Sequence, residues 1–83
     1  MKILYFSWIK DKIGKSNEEI TINENINTVN DLILYLKNVD NNYKEVFDDI
    51  SSIRISVNLE TTGPEAVIKN DDEVAFFPPM TGG

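Results

Sequence analysis

The chain has 83 residues and a formal net charge of -6 at pH 7, and it contains neither cysteine nor histidine. The length excludes a second domain, and the absence of cysteine excludes disulfides and a thiol nucleophile. No apolar run approaches the roughly 20 residues of a membrane-spanning helix, and no signal-peptide cleavage site follows Met1, so we expect a cytoplasmic protein without membrane contact. The excess of acids disfavours nucleic acid and favours a partner with a basic surface, while the missing histidine disfavours a metal site and catalysis by this chain alone.

The chain opens with a predicted hairpin. Residues 3–8 are rich in aliphatic and aromatic side chains and predict the first strand. Residues 10–17 are typical of a turn, and residues 19–22 alternate well enough for a second strand.

Two helices are predicted next. Thr28 is a good N-cap, and Asp31 stands three residues later as in a capping box. The main helix has an apolar face at positions i, i+3, i+4 and i+7, made of Val29, Leu32, Ile33 and Leu36. The same spacing recurs over a short second helix in Tyr43, Val46, Phe47 and Ile50.

The remaining elements complete an α+β fold. Ile53, Ile55 and Val57 alternate with polar residues and predict a third strand. Residues 59–66 are a loop or short edge segment, residues 70–72 a turn, and residues 73–77 the last strand. We therefore expect a mixed sheet crossed by one main helix, with a short second helix.

Both faces of the first and last predicted strands carry apolar residues. Leu4, Phe6 and Trp8 alternate with Ile3 and Tyr5, and Phe76 and Phe77 point to opposite faces. A single helix covers one face of a sheet, so the other face either presents aromatic surface near the tail or is covered by the second helix or the 59–66 loop. The sequence leaves both readings open.

The end of the sequence is unusual. Pro78 and Pro79 stop the last strand, and the sequence closes on Gly82-Gly83. We expect a compact domain over residues 1–79 and a flexible arm over residues 80–83, about 13 to 14 Å long when extended. Because glycine has no Cβ, the terminal carboxylate could enter a narrow channel in another protein.

The last twelve residues, Asp-Glu-Val-Ala-Phe-Phe-Pro-Pro-Met-Thr-Gly-Gly, resemble the C-terminal signature of the small sulfur-carrier subunits of molybdopterin synthase, the MoaD family of ubiquitin-like β-grasp proteins. Val57-Asn58 also resembles that family. Two positions depart from it. Asp71 replaces a turn glycine and would have to tolerate a left-handed backbone, and Thr61-Thr62 replaces a more hydrophobic stretch.

The resemblance implies a mechanism in which this chain is a non-catalytic sulfur donor and the large catalytic subunit of molybdopterin synthase supplies the active site. An ATP-dependent, E1-like adenylyltransferase would convert the terminal carboxylate to an acyl-adenylate, and a sulfur donor protein would convert that to a thiocarboxylate (1-thioglycine). The large subunit, in a heterotetramer, would then place the sulfur on a pyranopterin precursor in molybdenum cofactor biosynthesis. No cofactor is expected on this chain besides the covalent sulfur.

The implied site has three parts. Gly83 carries the reactive group. The inserted tail comprises Gly82, Thr81, Met80, Pro79 and Pro78. The docking surface comprises Phe6 with Phe76 or Phe77.

Other functions fit the same tail. A carrier for thiamine synthesis or tRNA thiolation, or a ubiquitin-like modifier joined through an isopeptide bond, would use the same activation chemistry. A β-grasp binding module whose tail has no function belongs to a different class. The Phe-Phe-Pro-Pro arm favours the molybdopterin synthase carrier.

Overall fold

The computed structural model describes residues 1–79, which form a five-stranded sheet with helices packed on one face. In chain order the elements are β1 (Lys2–Tyr5), α1 (Ser7–Ile13), β2 (Asn17–Glu19), α2 (Val29–Lys37), α3 (Asn41–Phe47), β3 (Arg54–Val57), β4 (Glu60–Thr62) and β5 (Glu73–Phe77). The strand order is β2-β1-β5-β3-β4. Because β1 and β5 are parallel and the other pairs antiparallel, the predicted mixed sheet and α+β class are confirmed.

The core lies between the sheet and the helices. Val74 and Phe76 of the central strand β5 are fully buried, and Ile3, Tyr5 and Ile55 flank them on the same face. The α2 face predicted from the spacing is buried against them. Each fully buried aliphatic or aromatic side chain contributes about 1.5 to 3 kcal/mol relative to exposure, so this layer is the main source of stability.

The predicted start of α2 is confirmed by its capping box. The Asp31 backbone N–H donates to Thr28 Oγ1 at 3.2 Å, and the Thr28 backbone N–H donates to Asp31 Oδ2 at 3.1 Å. Backbone hydrogen bonds from Asn27 and Thr28 lower the pKa of Asp31, because they stabilise its ionised form. The short second helix is also confirmed, as α3, and Ile50 lies just beyond its end, half-buried against the core.

The predicted opening hairpin is wrong in its details. β1 ends at Tyr5 and a further helix, α1, occupies residues that were predicted as strand and turn. Ser7 has a φ of 58°, which turns the chain sharply out of the strand. Ile9 and Ile13 are then buried at i, i+4, and Gly14 ends the helix with a φ of 90°. Trp8 therefore lies on a helix, half-buried against the core, and not on the open side of a strand.

The second strand is displaced toward the N-terminus. It covers Asn17–Glu19 and pairs with β1 so that Lys2 faces Glu19 and Leu4 faces Asn17. The predicted 59–66 segment contains a short edge strand, β4, which agrees with one of the two readings of that segment. Asp71 does not adopt a left-handed backbone, so the expected strain at that turn is absent.

A carboxylate at β2 explains the displacement. Glu18 Oε2 accepts hydrogen bonds from two buried hydroxyls, Tyr5 at 2.7 Å and Tyr43 at 2.5 Å, and Lys15 Nζ lies 3.5 Å from Glu18 Oε1. Burial, followed by the hydrogen bond to Glu18, raises the pKa of Tyr5 well above its ordinary value. Glu18 thus fixes β2 to β1 and to α3 at once.

Replacing Glu18 with alanine should lower the free energy of unfolding by about 2 to 3 kcal/mol, because two buried hydroxyls lose their acceptor. Urea denaturation measures the change. Glu19→Ala is the matched control in the same strand, where the side chain is exposed, and should cost no more than about 0.5 kcal/mol. Equal losses in the two variants would contradict the role of Glu18.

Candidate functional site

The tail root, residues 77–79, follows directly from the central strand. β5 is hydrogen-bonded to β1 as far as Phe76 and to β3 as far as Phe77, so the strand is held on both edges almost to its end. Pro78 and Pro79 follow it and are half-buried. The predicted inserted residues Met80, Thr81 and Gly82 and the reactive Gly83 lie outside the described residues.

One face of the sheet has no helix on it. This open face is formed by the side chains that alternate away from the core. Its middle row is Leu4, Ala75, Ser56 and Thr61. Phe77 and Arg54 form the row toward the tail root, and Lys2, Glu19 and Glu73 form the row at the other end. Ala75 and Ser56 are only 8% and 9% exposed although no helix covers them. The centre of the open face is therefore a shallow floor of small side chains.

Phe6 and Phe77 stand side by side at the edge of this floor. The Phe6 backbone is still extended, and its N–H donates to the Phe76 carbonyl at 3.2 Å, which continues the parallel ladder by one step. Phe6 is 47% exposed and Phe77 is half-buried. The structure thus brings together two of the three predicted docking aromatics beside the tail root.

Phe76 is excluded as a docking residue. It is fully buried, stacks on Tyr5 with ring centroids 6.1 Å apart, and meets the edge of Phe47 at 4.9 Å. The strand pleat causes this, since adjacent residues of a strand face opposite sides of the sheet. Of the two alternatives that the sequence left, Phe77 is the residue on the surface.

The opposite end of the sheet is closed by a tight turn between β3 and β4. Asn58 and Leu59 both have left-handed backbones, with φ values of 51° and 71°. Asn58 Oδ1 accepts from the Glu73 N–H at 3.0 Å, and Asn58 Nδ2 donates to Asp72 Oδ1 at 2.9 Å. The latter bond lowers the pKa of Asp72. Asn58, noted in the sequence for its family resemblance, therefore anchors the start of β5.

Two other kinds of site are absent from the described part of the chain. Residues 1–79 contain no group of three or more Asp and Glu side chains arranged to hold a metal ion. None of the helices described there has the length and apolar character needed to cross a bilayer. The tail root and the open face beside it are the candidate site.

Together these features define the class of protein, a ubiquitin-like β-grasp domain whose central strand leads directly to Pro78 and Pro79. Among solved structures, the chain is similar to a Pyrococcus furiosus protein provisionally assigned as molybdopterin converting factor, subunit 1, with a TM-score of 0.76 and 27% identity over 95% of each chain. Small archaeal modifier protein 1 of Haloferax volcanii shares the fold, with a TM-score of 0.78 and 19% identity over 96% of this chain and 97% of that one. The predicted β-grasp fold is confirmed.

The sequence comparisons give the family. The profile of the ThiS family matches residues 3–83. A molybdopterin synthase sulfur carrier subunit of Dictyostelium discoideum is 32% identical over 99% of this chain and 94% of its own length. A protein of the same name from Haemophilus influenzae is 25% identical over 100% of this chain and 99% of its own. The chain belongs to the ThiS family, together with these sulfur carrier subunits.

The two phenylalanines at the end of β5 should differ sharply in their effect on stability. Phe76→Ala removes a fully buried ring and should lower the free energy of unfolding by about 3 to 5 kcal/mol. Phe77→Ala removes a half-buried ring and should cost less than about 1.5 kcal/mol. Chemical denaturation of both variants measures the difference, and similar costs would contradict the assignment of the two faces.

Proposed function

We propose that this chain is the sulfur carrier subunit of a molybdopterin synthase and that the carboxylate of Gly83 carries the sulfur as a thiocarboxylate. The observation that carries the proposal is the match to molybdopterin synthase sulfur carrier subunits over almost the full length of both chains. The Gly82-Gly83 end of the sequence is consistent with it, because two residues without a Cβ can enter a channel that excludes larger ones.

The chemistry follows from the low reactivity of a carboxylate. An E1-like adenylyltransferase joins the Gly83 carboxylate to the AMP part of ATP and releases pyrophosphate. Sulfur supplied by a donor protein at the oxidation level of sulfide then attacks the acyl carbon and displaces AMP, which leaves a thiocarboxylate. Both steps take place on the tail, and the body of the domain contributes recognition.

Discharge takes place in the large subunit. The thiocarboxylate sulfur forms a bond to a carbon of the pyranopterin precursor, from which an oxygen substituent leaves. Water then cleaves the bond between the acyl carbon and the sulfur and restores the carboxylate. This chain has no histidine or cysteine, so the general base and the cations that bind the precursor belong to the large subunit.

The open face supports the docking part of this proposal. A partner that accepts the tail must contact the surface from which the tail departs, and there Phe6 and Phe77 offer aromatic area on a rigid sheet. Aromatic residues at the centre of an interface contribute more than their share of the binding energy. Residues 78–83 would reach from this surface into the active site of the large subunit.

Loading of the tail is measured by intact mass. Incubation with ATP, the adenylyltransferase of the same organism and a sulfide source should raise the mass by about 16 Da, the difference between sulfur and oxygen. Gly83→Ala, or one residue added after Gly83, should abolish sulfur transfer to the precursor with little change in thermal stability, because the described core is built from residues between Met1 and Phe76. Gly63→Ala is the matched glycine control, since the atoms nearest to its added methyl group all belong to the flexible Glu65 carboxylate, which can move aside.

Three outcomes of the loading experiment would count against the proposal. Failure of the parent chain to gain mass would overturn the thiocarboxylate. Loading without transfer when the large subunit and precursor are present would favour a carrier for thiamine or tRNA thiolation. Recovery of Gly83 in isopeptide bonds to lysines of other proteins would favour a modifier.

Docking is tested at Phe77. Phe77→Glu should weaken binding to the large subunit by at least about ten-fold, because a carboxylate would replace a ring in a desolvated contact. Val67→Glu makes the same kind of change at an exposed apolar position next to the start of α2, and it should leave the dissociation constant within about two-fold. An unchanged dissociation constant for Phe77→Glu, measured by calorimetry, would remove Phe77 from the interface.

A further inference from the structure

The charged residues of the strands are distributed unevenly. The five strands contain six of them, which are Lys2, Glu18, Glu19, Arg54, Glu60 and Glu73. The pairing registers place every one except Arg54 in the half of the sheet away from the tail root, in the rows of Ile3 with Val74 and of Lys2 with Glu73. Arg54 is thus the one charged strand residue in the half from which the tail departs.

Arg54 is also placed for contact with a partner. Its register partner on β5 is Phe77, and paired residues of neighbouring strands present their side chains on the same face. The Arg54 side chain is exposed, and it forms no ion pair with any carboxylate of residues 1–79. The chain has 14 acidic residues and a net charge of -6, yet none of the acids in the described part of the molecule pairs with this arginine.

We propose that Arg54 is a specificity-determining docking residue that receives a carboxylate of the large subunit at the mouth of the channel that takes the tail. This inference rests on the proposed function and adds the chemistry of the partner surface. A guanidinium presents two parallel N–H donors that match a carboxylate, so it fixes orientation as well as attraction. Phe77, its register partner, lies beside it, and Phe6 lies across β5, so a partner that covers both rings would exclude water from that contact and strengthen the ion pair.

The position gives the contact a function in transfer. Arg54 is joined through the sheet to Phe77, and Pro78 and Pro79 stiffen the chain that follows. A bidentate contact at Arg54 would therefore set the angle at which residues 78–83 enter the partner. The expected partner surface is an Asp or Glu side chain surrounded by apolar groups.

The test compares charge reversals at two ends of the sheet. Arg54→Glu should weaken binding to the recombinant large subunit of the same organism by at least about ten-fold at 150 mM salt, because two carboxylates would then face each other. Lys69→Glu changes the net charge by the same amount at an exposed site near the opposite end and should stay within about two-fold. Similar dissociation constants for the two variants would overturn the inference.

A neutral variant supports the test if the charge reversal unfolds the domain. Arg54→Gln should weaken binding by about five-fold or more and should make the dissociation constant less dependent on salt than that of the parent chain. Arg54→Lys keeps the positive charge but loses the two parallel N–H donors of the guanidinium, so its affinity should lie between those of Arg54→Gln and the parent chain. Parent-like binding and salt dependence in Arg54→Gln would overturn the inference.

Cross-linking identifies the carboxylate. A water-soluble carbodiimide joins carboxylates to amines at zero length, and it does not couple a guanidinium. Arg54→Lys therefore supplies an amine where the parent chain has none, and a peptide containing position 54 should become linked to an Asp or Glu of the large subunit. Peptide mapping that finds links from other lysines but none from position 54 would count against the contact.

The outcomes separate this inference from the proposed function. If the parent chain binds the large subunit and gains the sulfur mass while Arg54→Glu behaves like Lys69→Glu, the carrier function stands and the role of Arg54 is wrong. If the parent chain neither binds nor loads, both proposals are overturned.

Discussion

The central position of β5 is the constraint on which the rest of the structure depends. β5 is hydrogen-bonded on both edges, to β1 in parallel and to β3 in antiparallel orientation, and its Val74 and Phe76 side chains are fully buried under the helices. A strand held in this way cannot shift without disrupting the core, and the tail root continues directly from it. The domain therefore holds residues 77–79 at a fixed place on the sheet. A carrier protein needs this property, because the position of its reactive end has to be reproducible in two different partners.

The same strand separates stability from recognition. Alternation along β5 sends Phe76 into the core, where it packs on Tyr5 and Phe47, and sends Phe77 to the open face. One residue step therefore divides a ring that stabilises the fold from a ring that is available to a partner. All three helices that the structure describes lie on the other face. Apart from Ala75 and Ser56 in its centre, the side chains of the open face are therefore not needed to pack against a helix. Its composition can follow the partner.

How far the sequence predicted these features depends on whether the signal was local. α2 has a capping box and a regular apolar face within nine residues, and β5 is bounded by a turn and two prolines, so both were predicted correctly. α1 was missed because its aromatic start has high strand preference, although Ile9, Ile13 and Gly14 carried a helix signal. β2 was misplaced because its register depends on Glu18 bonding to Tyr5 and Tyr43, which are far apart in the sequence. For the tail, the two glycines predicted an end that fits a narrow channel, whereas the thiocarboxylate chemistry came from the resemblance of the last twelve residues to a family.

The net charge of the chain predicts a basic partner surface, whereas the charge beside the tail root predicts an acidic contact. The two charges lie in different parts of the sheet. The acidic excess favours a basic partner surface, and the strand acids that contribute to it lie away from the tail root, in the rows of Ile3 with Val74 and of Lys2 with Glu73. Beside the tail root the only charged strand residue is a cation, flanked by Phe77. Long-range attraction acts on the whole molecule and raises the rate of encounter, whereas desolvated contacts at the interface decide register and lifetime. Under the proposal made for Arg54, an acidic body with one cation beside the tail root approaches a broadly basic partner and still docks in a single orientation, the one in which Arg54 meets a carboxylate.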